Sequence, residues 1–153
     1  MSHDEALGGR EQKQRFVFKI TVLGPDDELL KSVLEGINKQ TLSVNGIVIG
    51  STKVELEQSD VSTLMMSPSQ SAHRLLLSLT FRGAHAALIV MREPDPVEEA
   101  TYRNQVRREI GTDVPVRVFV TGQRLTKRKI DDMLIILNEL ADELVSERSA
   151  RKK

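Results

Sequence analysis

Phe16-Val17-Phe18-Lys19-Ile20-Thr21-Val22-Leu23-Gly24-Pro25-Asp26-Asp27-Glu28-Leu29-Leu30-Lys31-Ser32-Val33-Leu34-Glu35-Gly36-Ile37 changes its hydrophobic period in the middle. From Phe16 to Leu23 the chain is rich in β-branched and aromatic residues, and Gly24-Pro25 punctuates it, as expected of a buried strand. Asp26 or Asp27 can cap a helix beginning there, because a short carboxylate accepts the free amides of a first helical turn. Leu30, Val33, Leu34 and Ile37 then recur at helical spacing. A strand therefore feeds a helix through a very short turn, the unit from which parallel sheets are built.

Working outward, the same alternation repeats. Gly46 to Glu57 ends in strict alternation, with Val54 and Leu56 inward and Lys53, Glu55 and Glu57 outward. Gln58-Ser59-Asp60 is a polar turn, and Val61 to Met66 resumes extended character until Pro68, so a hairpin near the sheet edge is expected. A short helix is expected from Ala72 to Phe81, stopped by Arg82-Gly83. Ala86 to Met91 reads as a fully buried strand, Asp95-Pro96-Val97-Glu98 as the start of a helix carrying Tyr102, Val106 and Ile110, and Pro115 to Val120 as another strand. From Thr126, the residues Ile130, Met133, Leu134, Leu137, Leu140, Ala141 and Leu144 trace one long amphipathic helix. Residues 1–15 are polar and contain Gly8-Gly9, which reads as a mobile arm; 16–146 form a single α/β domain; 147–153 form a charged tail. The expected architecture is a mostly parallel sheet with helices on both faces and one antiparallel edge strand from the hairpin.

Composition narrows the function. The chain has 153 residues, enough for one domain with a real core. Twenty-two basic and 22 acidic residues cancel, so the basic excess of a nucleic-acid binder is missing, and 3% aromatics supply few stacking platforms. Absence of cysteine excludes disulfides, thiolate nucleophiles and cysteine-based metal centres. His3, His73 and His85 lie too far apart in sequence for a helical metal pair. Neither a signal-peptide core nor a membrane span is legible, so a cytoplasmic protein is expected.

In such a sheet, ligands bind beyond the carboxyl ends of the strands, at the loops after Leu23, Met66, Met91 and Val120. Here particular phrases resemble the Ras-like small GTPases. Arg82-Gly83-Ala84-His85-Ala86-Ala87-Leu88-Ile89-Val90-Met91 is similar to that family's RGADGALLVYD segment; Thr41-Leu42-Ser43-Val44 resembles the first switch, TIGV; and Val114-Pro115 leads its strand as VPIILVGNK does. The similarity covers roughly residues 16 to 125. It implies a three-layer Ras-like sandwich, in a minimal version lacking the last strand–helix unit.

The nucleotide motifs depart from the family together. A phosphate loop needs G-x-x-x-x-G-K-[ST], because backbone amides cradle the phosphates while lysine and a hydroxyl serve charge and magnesium. In Gly24-Pro25-Asp26-Asp27-Glu28-Leu29-Leu30-Lys31-Ser32, Gly24, Lys31 and Ser32 remain as vestiges, but the Lys-Ser pair sits one residue late and Leu29 replaces the second glycine. Asp26, Asp27 and Glu28 put carboxylates where phosphate oxygens would sit, and Pro25 removes an amide. Met66-Ser67-Pro68-Ser69-Gln70 replaces the second switch D-T-A-G, with Gln70 matching the family's water-positioning glutamine. Thr121-Gly122-Gln123-Arg124 replaces the guanine-reading N-K-x-D.

The expectation is a non-catalytic pseudo-GTPase without cofactor or metal, acting as an interaction or scaffold module. The family binds proteins through its switches and the hairpin between them, which makes Thr41, Val44, Val54, Leu56, Met66, Pro68, Gln70, His73 and Arg74 the candidate contact residues. The exposed edge strand and the final helix could also drive homodimerisation. Two alternatives stay open: nucleotide binding in an altered pose through Gly24, Lys31 and Ser32, and an unphosphorylatable receiver-like domain with Asp26-Asp27 as its acidic pair and Met91 in the acceptor place. Basic clusters at Arg103, Arg107 and Arg108 and at Arg124, Lys127, Arg128 and Lys129 read as solvated helix surface, with a patch for an acidic partner or nucleic acid as the competing role.

Overall fold

A computed structural model describes residues 13–70, 72 and 74–151. Six strands form one sheet: β1 (Gln14–Leu23), β2 (Thr41–Val44), β3 (Ile47–Glu55), β4 (Ser59–Pro68), β5 (Ala86–Met91) and β6 (Val116–Val120). The described helices are α1 (Asp27–Ile37), α2 (Arg74–Phe81), α3 (Pro96–Glu109) and α4 (Lys127–Arg151). The order across the sheet is β2-β3-β4-β1-β5-β6. β1 runs parallel to β4 and β5, and β5 parallel to β6, whereas β3 is antiparallel to both of its neighbours, β2 and β4. The protein is thus a three-layer α/β structure with a mixed, mostly parallel sheet.

Several boundaries differ from expectation; β4 begins at Ser59, inside the expected turn, and α2 at Arg74 rather than Ala72. The antiparallel strand of the hairpin, β3, is internal; the edge is β2, built from Thr41–Val44, the residues that resemble a switch loop. The cause is the dipeptide Asn45-Gly46, both at positive φ (48° and 86°), which makes a two-residue reversal matching strand twist and folds 41–44 back onto Ile47–Gly50. β1 begins at Gln14 rather than Phe16, because Gln14 and Arg15 continue the register with Ser59 and Asp60. α4 continues to Arg151, through most of the stretch expected as a tail. Of the expected arm, residues 1–12, which include His3, lie outside the described residues, as do residues 152–153.

Period-2 alternation in the central strands divides the core. On one face Phe16, Phe18, Ile20 and Val22 of β1, with Leu88 and Val90 of β5, pack against Leu30, Val33 and Leu34 of α1 and Met133, Leu137, Leu140 and Leu144 of α4. On the other face Leu23 and Ala87 meet Phe81 of α2 and Val106 of α3. Each fully buried aliphatic chain contributes about 1.5–3 kcal/mol by leaving water, so the larger first cluster carries most of the stability. α1 and α4 approach closely at Gly36, where an added Cβ would lie 2.5 Å from Ile130 Cδ1.

The end of α4 is anchored. The Arg148 guanidinium lies over the Phe18 ring, 4.9 Å from its centroid, and Phe18 meets the His85 ring edge-on at 5.3 Å. Arg117 of β6 pairs with Glu143 one turn earlier. On the opposite face the Lys19 ammonium donates to the carbonyls of Leu79 and Arg82, satisfying the C-terminal end of α2.

Candidate functional site

The carboxyl ends of β1, β4, β5 and β6 converge on one side of the sheet, and a cavity of about 540 Å³ opens there, lined by Asp26, Asp27, Arg92, Glu93, Asp95 and Gln123. A second cavity, of about 620 Å³, lies at the amino ends of β1 and β4, bordered by Lys13, Leu56, Glu57 and Asp142.

Asp26 stands between β1 and α1 with extended backbone (φ −116°, ψ 103°), and its carboxylate accepts from the Leu29 amide at 3.0 Å. Its second oxygen accepts from Arg92 Nε at 2.7 Å, and Arg92 Nη1 donates to the Gln123 carbonyl at 2.8 Å. The Arg92 hydrogen bond first, then the Leu29 amide, hold the Asp26 carboxyl below the usual carboxylate range against the opposing effect of burial. Asp27 occupies the first turn of α1, and both of its oxygens accept from the backbone amide of Gln70, at 3.2 and 3.1 Å. Acids here suit the positive end of the helix dipole. Gln70 also hydrogen-bonds Tyr102 of α3; burial first, then the Glu98 charge, push that phenol upward. One carboxylate therefore ties α1 to the loop after β5, and its neighbour ties α1 to the loop after β4.

The expected site residues fall in several places. Gly24 is buried, and a Cβ there would lie 2.2 Å from the Val90 carbonyl oxygen, so glycine is needed for the approach of β1's end to β5. Lys31 and Ser32 are exposed, more than a turn beyond the start of α1 and away from the cavity lining. Val54 (8% exposed) and Pro68 are buried and are therefore corrected out of the contact surface. Val54 alternates into the α4-covered core, and Pro68 pairs with the buried Ile47. Leu56 and Met66 are half-buried, Thr41 and Val44 lie on β2, and Gln70 is exposed beside Asp27. Arg74 opens α2, and His73 lies outside the described residues. Arg103 bonds Glu99 one turn away at 2.8 Å, whereas Arg124, Lys127 and Arg128 are exposed around the start of α4.

Arg92, which bonds Asp26 and lines the cavity, carries no motif signal in the sequence, although it directly succeeds a buried strand at the end where such sheets bind ligands. Asn45-Gly46 was equally legible as a reversal signal. Among the described residues, no group of three histidine, cysteine, aspartate or glutamate side chains is arranged to hold a metal ion, and no described helix is long and apolar enough to cross a membrane. Compared with known protein families and with curated proteins, the chain matches no family model and no protein.

Proposed function

We propose that this chain is a non-catalytic, degenerate relative of the Ras-like small GTPases that works as a protein-interaction or scaffold module without binding or hydrolysing GTP. One observation supports the reading above the others: the groups that a phosphate would need are satisfied by the protein's own carboxylates. Asp26 accepts the Leu29 amide and the Arg92 guanidinium, and Asp27 accepts the Gln70 amide. A phosphate entering here would meet the carboxylates of Asp26, Asp27, Glu93 and Asp95, with the Arg92 guanidinium already paired to Asp26, a net repulsion once water is excluded. Lys31 and Ser32, the residues left from the phosphate motif, are exposed on α1 outside the cavity lining and cannot offset that charge.

In a nucleotide-dependent switch, the terminal phosphate orders the loops. Here Asp27 supplies an anion to the loop after β4 permanently, so that surface is held without a ligand. The contact surface is the hairpin half of the sheet, with Thr41, Val44 and Met66, continuing through Gln70. Calorimetric titration of the full chain with GTP, GDP and ATP in the presence of magnesium tests the reading. No saturable heat is expected; saturable binding at micromolar ligand that disappears in Lys31→Ala overturns it in favour of a nucleotide held in an altered pose.

A further inference from the structure

The sheet ends in an edge without the usual protection. Exposed strands normally carry a charge, a proline or a covering element that prevents further pairing. β6, at one end of the order, carries Arg117 paired to Glu143 of α4. β2, at the other end, reads Thr41-Leu42-Ser43-Val44, with neither charge nor proline, and no described strand pairs with its outer side. Leu42 is 58% and Val44 43% exposed. They share a sheet face with Ile49 and Met66, because the register aligns Leu42 with Ile49 and Ile49 with Met66, and on that face Leu64 and Val17 are also exposed.

The backbone of this edge has a defined polarity. In a two-residue hairpin the flanking residues, here Val44 and Ile47, exchange hydrogen bonds. Alternation then turns the amides and carbonyls of Leu42 and Val44 toward β3 and those of Thr41 and Ser43 toward the free side.

We infer that β2 is the self-association surface of this protein, pairing antiparallel with β2 of a second copy across a two-fold axis at Leu42. Thr41 of each copy then lies opposite Ser43 of the other, and each pair exchanges two backbone hydrogen bonds. Leu42 faces its own equivalent, and the apolar strip from Met66 through Ile49 to Leu42 continues into the second copy. A second copy is the occupant because the edge is uncharged and self-complementary in this register, and because a chain with 22 basic and 22 acidic residues raises no net repulsion against itself. A four-residue pairing is small, so the dimer is weak and concentration-dependent. The inference rests on the reading of the hairpin half of the sheet as an interaction surface and names its partner.

Sedimentation velocity of the full chain from about 5 to about 500 µM tests it. The wild type is expected to shift from monomer to dimer across that range. Leu42→Lys, which sets two ammonium groups opposite each other, and Ser43→Pro, which removes an outward amide while leaving the bonds to β3, should each raise the dimer Kd about tenfold or more. Their far-UV circular dichroism and melting should show an intact monomer. Hydrogen exchange reads the same edge: the Thr41 and Ser43 amides should exchange more slowly in concentrated than in dilute wild type, with no such change in Leu42→Lys. A wild type that stays monomeric to the highest concentration overturns the inference, as does a dimer indifferent to both substitutions. Neither result bears on nucleotide binding, which is decided by the separate titration.

Discussion

Asp26→Ala removes the link between α1 and the loop after β5, and the structure sets the size of the effect. Loss of an N-cap carboxylate costs about 1 kcal/mol, because the Leu29 amide, bonded at 3.0 Å, loses its acceptor. The Arg92 contact at 2.7 Å is charge-assisted, but both side chains are about one-third exposed (34% and 35%), so screening limits it to about 0.5–1 kcal/mol. Together these give about 1.5–2 kcal/mol, or a fall of roughly 3–8 °C in Tm for a domain of this length. Asp26→Asn can keep the cap and lose the ion pair, so it should cost about half as much. Urea unfolding of Asp26→Ala, Arg92→Ala and the double variant separates the parts, with a coupling of about 0.5–1 kcal/mol expected. The pH dependence has a definite sign: a carboxyl whose folded pKa is depressed adds stability above its unfolded value and loses it as pH falls through the folded value. The difference between wild type and Asp26→Asn should therefore be present at neutral pH and shrink below the ordinary carboxylate range. Zero coupling with Arg92, or an Asp26→Ala as stable as wild type, would refute the view that this carboxylate fills the site by binding its own chain.

Asp27→Ala should leave global stability within about 1 kcal/mol but accelerate exchange of the Gln70 amide, read by hydrogen exchange; unchanged exchange would show that the tether does not order the loop. Gly24→Ala should destabilise by about 3 kcal/mol or more, measured by chemical unfolding, because its Cβ meets the Val90 carbonyl at 2.2 Å and backbone must move. His85 is held below its ordinary pKa by burial first, then by the Arg148 and Lys19 charges. Its contribution to stability should therefore be complete above pH of about 6.5 and fall as pH drops toward the folded value, a slope that His85→Gln removes. Arg148→Ala should raise the His85 pKa, since it withdraws a neighbouring positive charge, and an NMR titration of the imidazole reads that change directly.

The order of strands and helices was legible from local signals. The change of period after Leu23, the Asp26 and Asp95 caps and the buried run Ala86 to Met91 each belong to a few neighbouring residues, and each appears where the pattern placed it. β2 could have been read from Asn45-Gly46; resemblance to a switch loop displaced that signal. The acidic character of Asp26-Asp27-Glu28 was equally plain, and it sits at the carboxyl end of β1 as expected.

Pairing across the chain was not legible. Arg92 is 66 residues from Asp26, and Gln70 is 43 from Asp27, so no local pattern joins them. Only the parallel order β4-β1-β5 lays their loops side by side. Exposure divided in the same way: Val54, Pro68 and Met66 belong to one hairpin by sequence, but helix coverage and register bury the first two and leave the third half-buried. The sequence by itself determined most of the strands and helices, though not β2 or the full length of α4, and that no G-x-x-x-x-G-K-[ST] motif is present, because caps, turns and periodicity act over a few residues. The tertiary structure alone decided which backbone and side-chain groups Asp26 and Asp27 bind and which strand is left at the edge, because those facts depend on contacts between segments that sequence spacing does not encode.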